Sequence, residues 1–188
     1  MSVRLRPAAD IVSIRPAALG DIEAIRTIER EANAMFDEVD MAAVARLDAT
    51  SVDDLSRPIV EQRAWVATDE ADRPVGFVLA SLVDENAHVE QISVASAFGR
   101  RGIGTRLLDA VIPWARQHGC TALTLTTFSD VPWNAPYYAR RGFRVVGDDR
   151  LTPGLARLRD HNATTLLGRW SRVTMRRELG AGSTTEGR

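Results

Sequence analysis

The chain has 188 residues, 45% hydrophobic and 26% charged, with a formal net charge of -1. That is enough chain to bury one core without disulfides or a structural metal, and too balanced a charge for bulk attraction to nucleic acid or an anionic membrane. All 24 basic residues are arginine, which excludes chemistry that needs a lysine amine, including Schiff-base mechanisms, pyridoxal phosphate attachment and the Walker-type phosphate loop.

The single cysteine, Cys120, excludes an internal disulfide framework and a cysteine-rich zinc site; opening a strand-like run, it reads as a small core residue. Arg4 and Arg6 are followed by no apolar segment of signal-peptide length, and the longest apolar stretch, residues 76–83, is strand-sized. The expectation is a cytoplasmic, unanchored protein.

Residues 11–15 read as a first strand, and Asp21 caps or begins a helix with Ile22, Ile25, Ile28 and Ala32 on one face. The pattern from Met35 to Pro58 is less regular, with one helix expected over residues 41–47 between loops. Two strands, residues 64–68 and 75–83, flank a charged, proline-containing turn, and a third covers residues 88–94. Ile103, Leu107, Leu108, Val111, Trp114 and Ala115 have helical spacing that stops at Gly119, with a kink expected at Pro113. Residues 122–127 predict a strand, 134–141 a short helix and 143–146 another strand. Thr152 and Pro153 start a helix through about residue 163, before a last strand over residues 173–177. One domain is expected over residues 1–179, and the polar, glycine-bearing residues 180–188 read as a disordered tail.

The most informative stretch is Gly99-Arg-Arg-Gly-Ile-Gly-Thr105, between a strand ending at Val94 and a helix starting near Gly102. First-turn amides have no acceptor inside their own helix, and glycines let a bulky anion approach the backbone. A pyrophosphate suits that place, with the helix dipole adding roughly 0.3–1 kcal/mol and Arg100 and Arg101 adding charge. The plain alternative is a glycine-bearing loop with solvated arginines. The spacing is neither the dinucleotide GxGxxG nor a P-loop.

With this motif in its strand-to-helix context, the chain resembles the GNAT superfamily of N-acetyltransferases over roughly residues 11–146. Their central element runs from a strand through Q/R-x-x-G-x-G/A into a helix; Gly102 and Gly104 match its later positions, while Gly99 stands at the usual Gln/Arg position. Tyr137-Tyr-Ala-Arg-Arg-Gly-Phe143 is similar to the family's aromatic-Tyr-x-x-x-Gly-Phe element. The resemblance implies an α/β fold with a mixed, mostly antiparallel central sheet flanked by helices, whose fourth and fifth strands splay to bind coenzyme A. It further implies backbone contacts from Ile92, Ser93 and Val94 to the pantetheine and acyl carbonyl, and phosphate contacts from Gly99, Arg100, Arg101, Gly102, Ile103, Gly104 and Thr105. An asparagine often found in the family would fall on Val131, and Asn134 is the nearby substitute.

Amide formation from a thioester needs a neutral amine, oxyanion stabilisation and a proton for the leaving thiolate. The resemblance makes Tyr138 the acid, and a phenol near 10 stays protonated at neutral pH; its plain alternative is packing against the coenzyme. Glu90, four residues before Val94, resembles the base of polyamine- and thialysine-acetylating relatives, acting through water; a cross-strand ion pair is its structural alternative. His88 is the second base candidate, because His88, Glu90, Ile92 and Val94 alternate onto one face unless a bulge intervenes. Its alternative is a surface-facing histidine.

Glu29, Glu31, Asp37, Glu38, Asp40, Asp48, Asp53 and Asp54 outnumber Arg30 and Arg46 in a region that the resemblance places on the acceptor side. That charge favours a cationic acceptor, although acidic residues on solvated helices are common. Asp130, Trp133 and Asn134 are placed to shape the acceptor pocket, and residues 148–170 read as a lid or as packing through Leu155, Leu158 and Leu166. The leading expectation is transfer from acetyl-CoA, as co-substrate and with no metal, to a primary amine of a small molecule. Protein or peptide N-acetylation and a non-catalytic acyl-CoA sensor are the alternatives, and a homodimer is left open.

Overall fold

The computed structural model describes residues 13–180. Residues 11 and 12 of the expected first strand, and the expected tail from 181 onward, lie outside the described residues.

Strand β1 (Ser13–Pro16) leads into helix α1 (Ile22–Ala34), whose Ile22, Ile25 and Ile28 are buried at the spacing of a single apolar stripe. The short α2 (Ala42–Ala45) follows. The sequence expectation of loops up to Pro58 is corrected by a nine-residue helix, α3 (Val52–Val60). Ser51 caps it, accepting from the Asp54 amide at 3.1 Å, and Leu55 and Ile59 turn inward. Pro58 is tolerated near its end, where the missing N–H removes one helical bond.

Strands β2 (Ala64–Thr68), β3 (Pro74–Val83) and β4 (Asn86–Val94) form an antiparallel meander. Helix α4 (Ile103–Gln117) runs on through Pro113, and Gly119 follows it in the left-handed region at φ 71°. Then come β5 (Ala122–Phe128), α5 (Ala135–Ala139), the two-residue β6 (Arg144–Val145), α6 (Pro153–Thr164) and β7 (Arg172–Glu178). The seven strands stand in the order β1-β2-β3-β4-β5-β7-β6, and β4 with β5 is the parallel pair.

Helices cover both faces of this sheet. Leu107, Leu108 and Val111 of α4 are fully buried against Val78, Ala80 and Val89, each contributing about 1.5–3 kcal/mol through burial. On the other face α1 and α3 pack on Phe77 and Leu79. A third cluster joins Met41, Val44, Phe128 and Val131 with Phe36, Trp133, Leu167 and Trp170.

Two irregularities place the site. The parallel ladder ends at Val89 opposite Leu125, although β4 runs on to Val94 and β5 to Phe128. The strands therefore splay. The register of β3 on β4 also steps from Leu79↔Gln91 to Ala80↔Val89, leaving Glu90 as an extra, bulged residue. The expected alternation is corrected by this bulge: Val89, Ile92 and Val94 belong to the α4 side, so His88 lies on the face opposite Ile92 and Val94.

Candidate active site

The Gly99–Thr105 motif occupies the junction of β4 and α4. Gly102 is the N-cap of α4 at φ 78°, with no side chain capping the helix. Among the described residues, the amides of Gly102, Ile103 and Gly104 donate to no backbone carbonyl, so three donors remain at the positive end of the helix. The Ile103 side chain is meanwhile buried in the core, which fixes where that turn sits.

A Cβ on Gly104 would come 2.5 Å from the Tyr137 hydroxyl. Tyr137 is held by the Arg141 guanidinium, 3.4 Å from its ring centroid, and Arg141 Nε donates to Thr105 Oγ1 at 2.7 Å. Gly104 thus serves the packing of α5 on α4 as well as an open turn. Gly99 has ordinary extended geometry, φ -59° and ψ 156°. Arg100 takes the left-handed region at φ 58° and is exposed. Arg101 folds back, donating to the Ala97 carbonyl at 3.3 Å and lying over Phe98.

The splay opens a cleft of about 360 Å³. Residues 89–93 border it in unbroken succession because the edge of β4, rather than one face, forms the wall; Val94 packs toward the α4 core instead. Tyr138 lines the cleft while only 8% exposed, edge-on to Tyr137 and Phe143. Burial first, and Tyr137 second, push its phenol above the usual value, against a smaller opposing pull from Arg141. It is therefore a protonated donor across the neutral range.

Asn134, the N-cap of α5, also lines the cleft. Its Oδ1 accepts from the Thr127 hydroxyl at 2.7 Å, while Nδ2 is buried with no partner among the described residues. Thr127, at the end of the splayed β5, thereby orients the side chain. Val131, where the family asparagine would fall, is a core residue of the third cluster.

Glu90 lines the cleft and pairs with Arg63 Nη1 at 3.2 Å, Arg63 also donating to the Ala80 carbonyl and to Glu61. His88 is not among the cleft-lining residues, and neither is it surface-facing: it is 6% exposed, with Nδ1 3.0 Å from Thr124 Oγ1. Burial, then the charge of Arg172, hold its pKa down at about 4, so the imidazole is neutral at pH 7.

Of the eight acids of the expected acceptor region, Glu29 and Asp48 line the cleft. Glu29 is buried and accepts from the Thr50 amide and hydroxyl at 2.8 and 2.9 Å. Asp53 and Asp54 instead sit in the first turn of α3, where carboxylates suit a helix N-terminus. Trp133 packs edge-on to Phe36, and Asp130 accepts from Ser129; neither lines the cleft.

Of the packing residues expected within 148–170, Leu155 is buried, while Leu158 and Leu166 are half-buried. Helix α6 is capped from another loop by Asp84, which accepts from the Thr152 hydroxyl and from the Gly154 amide at 2.9 Å. Leu167 reaches the cleft wall. Sequence reasoning missed Arg172, which lines the cleft one residue before the expected last strand, and it gave no role to Phe128 or Leu167. Nothing local in the sequence marks any of the three.

A mostly antiparallel sheet parted at its one parallel pair, with an open helix N-terminus following the parted strand, defines an acyltransferase architecture. The model of the Acetyltransferase (GNAT) family matches residues 24–143, and the chain belongs to that family. Similar solved structures include N-acetylglutamate synthase from Neisseria gonorrhoeae complexed with coenzyme A and N-acetyl-glutamate, at 21% identity and TM-score 0.67, covering 91% of this chain. This chain spans only 36% of the length of that one. The PaiA N-acetyltransferase from Thermoplasma acidophilum in complex with coenzyme A aligns at 15% identity and TM-score 0.64, covering 89% of this chain and 98% of its own. The ribosomal-protein-S18-alanine N-acetyltransferase from Escherichia coli aligns at 16% identity and TM-score 0.61, covering 95% and 100%. At such identities the likeness is one of fold. Among the described residues no helix is long and apolar enough to cross a membrane.

Proposed function

We propose that the protein is an N-acetyltransferase that moves the acetyl group of acetyl-CoA to a primary amine of a small molecule by direct attack in a ternary complex. The observation that carries this reading is the parting of β4 and β5 beyond Val89 and Leu125, with Tyr138 and the unpartnered Asn134 amide lining the opening.

The residues present fit coenzyme A. Its pyrophosphate matches the open amides of Gly102, Ile103 and Gly104, supported by Gly99, Thr105 and the charges of Arg100 and Arg101. Its amide-bearing pantetheine matches the β4 edge at Ile92, Ser93 and Val94, and the Asn134 Nδ2 donor. When bound, acetyl-CoA supplies a thioester carbonyl activated toward an amine.

The chain's own residues then manage two protons. Glu90 takes the proton lost by the attacking amine, through water, with Arg63 holding the carboxylate in place. Tyr138 gives its phenolic proton to the sulfur as the N–C bond forms and the C–S bond breaks. Its raised pKa keeps that proton available until a thiolate needs it. His88, neutral and off the cleft, stands second to Glu90 as base.

The test is acetyl-CoA-dependent thiol release with a panel of amines and peptides. Release with small amines is expected; coenzyme binding without turnover across the panel, or turnover of peptides alone, would overturn the reading.

A further inference from the structure

Transfer to a plain amine leaves one cleft residue without a task. Arg172 opens β7 opposite Phe128, at 5.1 Å from that ring's centroid, and its Nη2 donates to the Thr126 carbonyl at 3.1 Å. Its Nε and Nη1 are buried and have no hydrogen-bond partner among the described residues. No carboxylate pairs with it among the described residues, and burial alone lowers its pKa. An unpaired guanidinium is among the costliest groups a fold can bury, so its partner is expected from outside the chain.

Arg172 lines the same cleft as Tyr138 and Glu90, which places that missing partner beside the reacting centre. A planar cation with open N–H groups recognises an oxyanion, above all a carboxylate. The cleft also holds carboxylates of the opposite kind. Glu29 accepts from Thr50, which carries no charge, and neither Glu29 nor Asp48 forms an ion pair among the described residues. One unpaired cation and two uncompensated acids in about 360 Å³ complement a molecule that carries both charges. The excess of acids seen in the sequence accounts for only half of that pattern.

We infer that the acceptor is an amino acid or a zwitterion of that class, its carboxylate held by Arg172 and its ammonium drawn toward Glu29 and Asp48 before deprotonation. This rests on the acetyltransfer reading for its chemistry, and on the Arg172 geometry alone for its recognition.

The probes are free amino acids, their carboxamides and the matching decarboxylated amines, with N-acetyl amino acids as unreactive ligands. Thiol release gives kcat/KM, and thermal melting in the presence of coenzyme A gives binding without turnover. The wild type should favour free acids over carboxamides by about tenfold or more in kcat/KM, because a site built around a buried donor rejects analogues that leave it unpaired. Arg172→Gln should bring that ratio to within about twofold while the KM for acetyl-CoA changes little, and Arg172→Lys should keep part of the preference.

Equal turnover of acids and carboxamides by the wild type overturns the inference without any variant having to fold. An undiminished preference in a folded Arg172→Gln overturns it equally. Thiol release without carboxylate preference sinks the inference and leaves acetyltransfer standing; carboxylate-dependent stabilisation without thiol release sinks acetyltransfer and leaves carboxylate recognition by Arg172 standing. A wild type that shows neither thiol release nor carboxylate-dependent stabilisation overturns the assignment of Arg172.

Discussion

Lowering the pH from 7 to 4 sets His88 against its surroundings. The imidazole is buried on the face of β4 that looks toward α1, beside Thr124, and both desolvation and the nearby Arg172 disfavour its protonation. Its pKa of about 4 in the fold lies below the value of about 6.5 expected in an unfolded chain. As pH falls, the unfolded chain therefore binds the proton first. The stability held above about pH 6.5 drains away between there and pH 4, where the folded imidazole also protonates, and then levels off. That gap corresponds to about 3 kcal/mol, a large part of the total for a domain of this size. Urea denaturation at a series of pH values measures it, with His88→Gln as the control that keeps a polar partner for Thr124 and cannot titrate. The wild type should lose about 3 kcal/mol more than the variant over this range. Parallel stability curves, or an imidazole titrating near 6.5 by NMR in the folded protein, would refute the reasoning.

Tyr138→Phe should lower kcat by about a hundredfold with little change in the KM for acetyl-CoA, since it removes a proton donor and keeps the ring packing; a fall confined to KM counts against the acid role. Glu90→Gln should lose activity most at lower pH, where the acceptor amine is protonated, and an unchanged pH-rate profile removes Glu90 from the mechanism. Gly104→Ala forces a Cβ to 2.5 Å from the Tyr137 hydroxyl, which the Arg141 stack hinders from swinging aside. The expected cost is about 1–3 kcal/mol, with weaker coenzyme binding; thermal melts and coenzyme titration check both, and an unaltered melting temperature contradicts the tight packing.

The elements that carry strong periodicity were legible: Ile103 to Ala115 reads as a helix because its apolar residues fall on one stripe, and Gly119 ends it by taking a positive φ. The turn into α4 at Gly102 and the short helix carrying Tyr138 were legible because the spacing of their residues and the strand-to-helix context agree. Helix α3 escaped although Ser51 and Asp54 form its capping pair, because Pro58 and the short apolar pattern argued for a loop. The orientation of His88 escaped for a different reason. A bulge is decided by how two strands pair, and the alternation along one strand contains no record of its partner's register. Nothing in the residues around Arg172 sets it apart from other strand-end arginines, and only the packing beside Phe128 and Thr126 covers its Nε and Nη1.

The extra residue at Glu90 bears on how this chain is matched to its relatives. Up to Val89 the strand counts in one phase, and from Gln91 onward it counts in the other. An alignment drawn without a gap against a relative whose strand lacks the bulge would set a core-facing position of one protein against a cleft-facing position of the other. Such an alignment would transfer residue roles to the wrong side chains on one half of β4. Deleting Glu90 itself would make Val89 and Gln91 consecutive partners of Ala80 and Leu79 and turn neither half of the strand, whereas deleting any other residue of β4 would set one half on the wrong face. Positions in this strand are therefore best compared by counting backward from Val94 and forward from Asn86, and never straight through.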